Sequence, residues 1–263
     1  MRSAAVAGFL PSVHGFRFAN RWPPGSTLTF GPFDPRVIGI GDAADGLCGG
    51  MVATVRDLFE AGVAPPPDAE PPVHGSPRFR WIVRRQVQSL DWLRVPLRYY
   101  DLQALRPDSP AGLAALLRRE PARVVALRDE WPRIRADIDG GCLSIVGLVR
   151  VSGWSPRALT SNHQVLAWAY EEEEDVGGVR LRIYDPNHPG RDDVELLATL
   201  DPARSPGEPL GAAAGSAPVD ALEPGMRRSR PESVRLAQTT GEPLLAFFRQ
   251  PYAPPTGTLR AWR

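Results

Sequence analysis

The sequence predicts an α+β fold, with N-terminal helices packed on a C-terminal antiparallel β-sheet. Three observations predict it. Apolar residues recur at three- and four-residue spacing through the first half of the chain. From Cys142 onwards the period changes to two. The runs of period two follow one another directly instead of alternating with helices, which argues against βαβ units and a parallel sheet.

The elements follow in order. "GFRFANRW" (15–22) alternates and predicts a strand. After Cys48, the residues Met51, Val52, Val55, Leu58 and Phe59 form one helical stripe, and Gly62 supplies a left-handed stop. "VAPPPDAEPP" reads as a stiff linker. A second helix spans about 76–91, with Phe79, Ile82, Val83, Val87 and Leu90 on one face. Ser109-Pro110 predicts a helix start running through Leu117. "EPARVVALRDEWPRIRADIDGG" is helical, re-started or kinked at Pro132 and ended at Gly140-Gly141. Strands are predicted at 142–151, 164–172, 179–185 and 194–200. The acidic "EEEEDVGG" between the second and third suits a solvated hairpin tip. Residues 202–241, rich in Pro, Gly, Ala and Ser, read as a flexible insertion, and "PLLAFFRQPY" (243–252) as a strand returning to the sheet. The organisation predicted is a core over 1–201, the insertion 202–241, and a returning strand and tail over 242–263, all within one domain.

Composition narrows the function classes. The chain has 263 residues, 43% of them hydrophobic and 23% charged, as in ordinary globular proteins. Its formal net charge of +1 offers no global field for nucleic acid or an anionic membrane. All 31 basic residues are arginine, which together with abundant Ala, Gly and Pro reads as compositional bias rather than phosphate recognition. No apolar run approaches the ~20 residues of a membrane span, and "MRSAAVAGFLPSVHG" makes a poor signal peptide. Cytoplasmic location is the expectation. Two cysteines make no disulfide scaffold, and no CxxC, HxH or HExxH spacing predicts a metal site, so no cofactor is expected.

The chemistry concentrates at Cys48. It stands between glycines in "DGLCGGM", at the mouth of a helix. A helix N-terminus lowers a thiol pKa, and the free N–H groups of the first turn can hold a developing oxyanion. A nucleophilic thiolate needs a base. Of the four histidines, His163 in "TSNHQVLAWAY" begins a core strand, whereas His14, His74 and His188 sit in loops or turns. Pairing of 164–172 with 179–185 around the acidic turn brings Asp185, at the end of the next strand, beside His163. Asn187, two residues on, is the other candidate to orient the imidazole. Cys142 reads as a packing residue, and Trp154, in a loop near His163, as a candidate cleft wall.

"GLCGGM" opening a helix, then "NHQVLAWAY", then "LRIYDPNHPG" resembles the papain-like cysteine peptidases, closest to the compact bacterial branch that includes bacteriocin-leader peptidases. The resemblance covers roughly residues 38–200. It implies Cys48 as nucleophile, His163 as base and Asp185 as the residue orienting the histidine. It also implies an amide shortly before the cysteine to complete the oxyanion hole. There the sequence departs, with Asp42 six residues before Cys48 and Asp45 three before. A protonated Asp42, Asn20 or Gln164 are the candidate donors; otherwise the hole is incomplete. The expected function is hydrolysis of a peptide or other amide through a thioester, with acyl transfer to an amine open. The alternative is a catalytically silent domain of the same family that binds a protein or peptide partner. The substrate and the oligomeric state are not fixed by the sequence.

Overall fold

The computed structural model describes residues 1–22, 46–91, 94–106, 119–155, 159–173, 178–201 and 233–262. It has an α+β architecture. Helices α1 (Pro11–His14), α2 (Cys48–Glu60), α3 (Pro77–Ser89) and α4 (Arg94–Ala104) precede α5 (Ala122–Val125) and α6 (Trp131–Asp139). The strands are β1 (Arg2–Ala5), β2 (Ser144–Val149), β3 (His163–Glu173), β4 (Gly178–Tyr184), β5 (Glu195–Asp201), β6 (Ser233–Gln238) and β7 (Ala246–Arg249). They form one antiparallel sheet in the order β6-β5-β4-β3-β2-β7.

Strand β3 is the spine of this sheet. Its first half pairs with β2, from Leu148↔His163 to Ser144↔Ala167, and its second half pairs with β1, from Ala5↔Ala169 to Arg2↔Glu172. β1 therefore continues the line of β2, while β4 occupies the other side. The first eight residues of β3 are all buried, where a strand with one wet face would alternate. Helices α2 and α6 both pack against it, Gln164 meeting Gly49 of α2 and Tyr170 meeting Trp131 of α6.

Two expectations are corrected. Residues 15–22 form no strand; Phe16, Phe18 and Trp22 are instead buried anchors of an irregular segment, Phe16 stacking on Phe18 and on Trp262. Alternation there reflects aromatic anchoring, not ladder pairing. The first strand is the four-residue Arg2–Ala5, too short and too poor in β-branched residues to read. The stretch 202–241 is not wholly an insertion: Ser233–Gln238 is β6, registered on β5 from Asp201↔Ser233 to Leu196↔Gln238. The Ser109–Leu117 helix and residues 202–232 lie outside the described residues. The tip of the acidic hairpin, 174–177, also lies outside the described residues; on β3 leading to it, Glu171 accepts from Arg182, and Glu172 from Arg135 and the Trp131 indole.

The helical expectations hold elsewhere. Ser76 caps α3 by accepting from Phe79 N–H, with Pro77 in the first turn. Gly62, at φ 62°, follows the end of α2. Pro132 lies in the first turn of α6, and a π turn over Ala126–Glu130 accommodates the missing N–H.

One close approach positions the functional region. A Cβ on Gly50 would collide with the Ile82 carbonyl oxygen of α3, a backbone atom that cannot swing aside. Glycine thus lets α2 and α3 cross in contact at the end of α2 that carries Cys48. Gly50→Ala is expected to destabilise the fold by about 1–3 kcal/mol through overpacking, read as a lowered urea midpoint at unchanged m-value.

Candidate active site

Cys48 is the first residue of α2, after Leu47 as N-cap. As a first-turn residue its N–H has no intrahelical partner. Cys48 is half-buried and in no disulfide, and the imidazole of His163 and the N–H groups of Gln164 and Gly49 lie near enough to its thiol to favour the ionised form. Two glycines after the cysteine leave the space this packing needs. A Cβ on Gly49 would run into the Gln164 side chain and lie 2.7 Å from Ser89 Oγ.

His163 is buried at the start of β3. Its Nε2 is 2.7 Å from Asp185 Oδ1. That leaves Nδ1 as the ring nitrogen facing the thiol. The backbone carbonyl of His163 accepts from Tyr99 Oη at 2.8 Å, so α4 holds the strand end. Asp185 directly follows β4 and is 0% exposed. The β3–β4 hairpin brings the two together by the predicted antiparallel pairing, Leu166↔Tyr184.

The electrostatics are mutually consistent. Burial disfavours the ionised Asp185, but the His163 charge and hydrogen bond, the Asn187 N–H and Arg150 outweigh it and hold the carboxyl far below its usual range. Burial would lower His163, yet Asp185 and the neighbouring thiolate push it up to about 9. Burial would raise Cys48, and the His163 imidazolium with the two N–H groups brings it below the usual thiol value instead. The favoured form is a thiolate–imidazolium pair on a buried carboxylate. The Tyr99 phenol is raised well above its usual value by burial and by Cys48, and so stays a neutral donor.

The remaining sequence candidates fall as follows. Cys48, His163 and Asp185 come together. Asn187 does not orient the imidazole; its backbone N–H donates to Asp185 Oδ1 at 2.8 Å, stiffening the turn after β4. Gln164 contributes its backbone N–H to the thiol, while its side chain lies over Gly49 with Oε1 buried and without a hydrogen-bond partner. Asp42 and Asp45 lie outside the described residues. Asn20 stands at the site: its Oδ1 accepts from Leu47 N–H at 2.7 Å and from Trp22 Nε1 at 3.1 Å. Both partners can only donate, so Nδ2 is the free end of that amide, and it lies beside Gly46. Asn20 N–H donates to the Pro186 carbonyl at 2.8 Å, tying this segment to the Asp185 turn.

The other histidines are elsewhere. His188 pairs with Glu242 at 2.6 Å, His74 lies against Phe79, and His14 stacks on Phe9. Trp154 is 64% exposed on its loop, and Cys142 is exposed rather than packed. Among the described residues no group of three or more His, Cys, Asp or Glu is placed to hold a metal ion, and no helix is long and apolar enough to cross a membrane.

Sequence reasoning missed Tyr99, Arg150 and Gln238. Gln238 Nε2 donates to Asp185 Oδ2 at 2.9 Å. Its signal was the alternation in "SVRLAQ", hidden behind the Pro- and Gly-rich run before it. No protein-family model matches the chain, and neither curated proteins nor solved structures give a match.

The pair has a measurable consequence. Iodoacetamide should alkylate Cys48 at pH values below the ordinary thiol range, because the thiolate persists down to its lowered pKa. In His163→Ala the onset should move up towards about pH 8.5, the free-thiol value. Exposed Cys142 is the internal reference in peptide mass spectrometry, and its profile should be the same in both proteins.

Proposed function

We propose that the protein is a cysteine-nucleophile hydrolase of papain-like fold that cleaves a peptide or other amide through a thioester. The observation that carries this is the chain of contacts from the Cys48 thiol through His163 to Asp185, set at the N-terminus of α2, the start of β3 and the end of β4. In the first step the thiolate adds to the substrate carbonyl carbon, forming the C–S bond and an oxyanion. The His163 imidazolium gives its Nδ1 proton to the departing nitrogen as the C–N bond breaks. Water then adds to the thioester with His163 taking its proton, the C–S bond breaks, and the acid and the thiolate are released.

The Cys48 backbone N–H and Asn20 Nδ2 are the proposed donors to the oxyanion. Asn20 is supported by its fixed orientation against Leu47 and Gly46, which leaves Nδ2 as the free donor at the loop before Cys48. A neutral amide in this role removes the need for a protonated Asp42. Both cysteines are unpaired, which suits the reducing cytoplasm proposed as its location.

A mixed tryptic peptide pool, read by mass spectrometry for new termini, tests the function. Cleavage and a transient acyl adduct on Cys48 are expected from the wild type and not from Cys48→Ala. The rate should rise with pH through the lowered Cys48 pKa and fall above about 9, where His163 loses the proton needed by the leaving group. Neither adduct nor cleavage anywhere in the pool is the contrary result. Asn20→Asp keeps the acceptor for Leu47 N–H but replaces the amide donor with a carboxylate; turnover should fall by at least ~10²–10³ while the protein stays folded and Cys48 can still be alkylated.

A further inference from the structure

We propose that Gln238 is a positioning residue for this site, orienting Asp185 from the edge strand β6 with Arg150 as its anchor. The inference rests on the hydrolase reading above and extends it to a part of the chain that the triad does not include.

The geometry around the carboxylate carries it. Asp185 Oδ1 is taken by His163 Nε2 and by Asn187 N–H, at 2.7 and 2.8 Å. Oδ2 receives Gln238 Nε2 at 2.9 Å, and Arg150 Nη2 stands 3.7 Å away. Arg150 Nη2 donates to Gln238 Oε1 at 3.0 Å. The amide cannot be turned round: its oxygen faces a guanidinium that only donates, and its NH₂ faces a carboxylate that only accepts. Gln238 is 4% exposed and Asp185 0%, so water cannot readily replace either partner.

The consequence follows from where the three residues sit. Asp185 follows β4, Arg150 follows β2, and Gln238 ends β6, so three strands converge on one carboxylate. A carboxylate held at one oxygen can rotate about its Cβ–Cγ bond and lose alignment with the imidazole. Held at both, it presents Oδ1 to Nε2 in one geometry. Among the described residues β6 pairs with β5 alone, so the Gln238 amide reaches Asp185 from an edge strand.

The test compares the pH profile of Cys48 alkylation, and thermal unfolding, in wild type, Gln238→Leu and Leu236→Ala. Leu236→Ala loosens β6 without touching the amide. The expected result is that folded Gln238→Leu alkylates Cys48 roughly tenfold more slowly near pH 6, its profile displaced upward by about one pH unit, because a less well-held Asp185 stabilises the imidazolium less. Leu236→Ala should lower the unfolding temperature and leave the profile in place. If Gln238→Leu does not fold, Arg150→Met, which frees Oε1 of its anchor, should give a smaller displacement in the same direction. An unchanged profile in the folded Gln238 or Arg150 variant, or an equal displacement in Leu236→Ala, overturns the inference and leaves the hydrolase reading standing. A wild-type profile that does not respond to His163→Ala overturns both.

Discussion

A carboxylate with no exposure to water is costly unless every lone pair is met, and the fold around the candidate site is organised by that requirement at Asp185. Four groups meet it, from four stretches of chain: the His163 imidazole, the Asn187 N–H, the Gln238 amide and, at longer range, Arg150. A buried ion pair of this kind adds little net stability, because desolvation offsets the attraction. Its effect is on geometry and charge. The carboxylate keeps the imidazole protonated, and the imidazolium keeps the thiol ionised. Each group takes its state from the next, which is why burial, which opposes all three ionised forms, does not prevail.

The second constraint is spatial. The thiol reaches the imidazole only because α2 enters close to both β3 and α3, and glycine makes that entry possible. Gly50 allows the contact with the Ile82 backbone, and Gly49 allows the Gln164 side chain to cross the first turn. Asn20 then closes the approach from the N-terminal side, bonding Leu47 and the turn that holds Asp185. The N-terminal segment, α2 and the hairpin are thereby locked to one another by backbone-directed bonds, so the positions of Cys48 and His163 do not rest on their own contact alone.

What was legible in the sequence was what local pattern encodes. The cysteine between glycines at a helix start, the histidine opening a strand, and the aspartate closing the next strand each carried a local signal, and hairpin geometry joined the last two. The strands β2 to β5 and their antiparallel character followed from period two in consecutive runs, and the β3–β4 pairing from the acidic turn between them. What was not legible was set by distant chain. Gln238 is 53 residues from Asp185 and Tyr99 is 64 from His163, and no spacing rule links them. β6 was obscured because the composition of the preceding residues spoke for the whole stretch. The segment 15–22 was misread because buried aromatics alternate in an irregular chain as they do in a strand.

The central claim is that Cys48 is ionised at pH values where a free thiol is not. Thiolate absorbs in the ultraviolet and a thiol does not, so a pH titration of wild type minus Cys48→Ser isolates its state directly. A difference signal already present at about pH 6, well below the free-thiol value of ~8.5, is the result the account predicts. A signal that emerges only near pH 8.5 would mean a neutral thiol beside a neutral imidazole, and would contradict it.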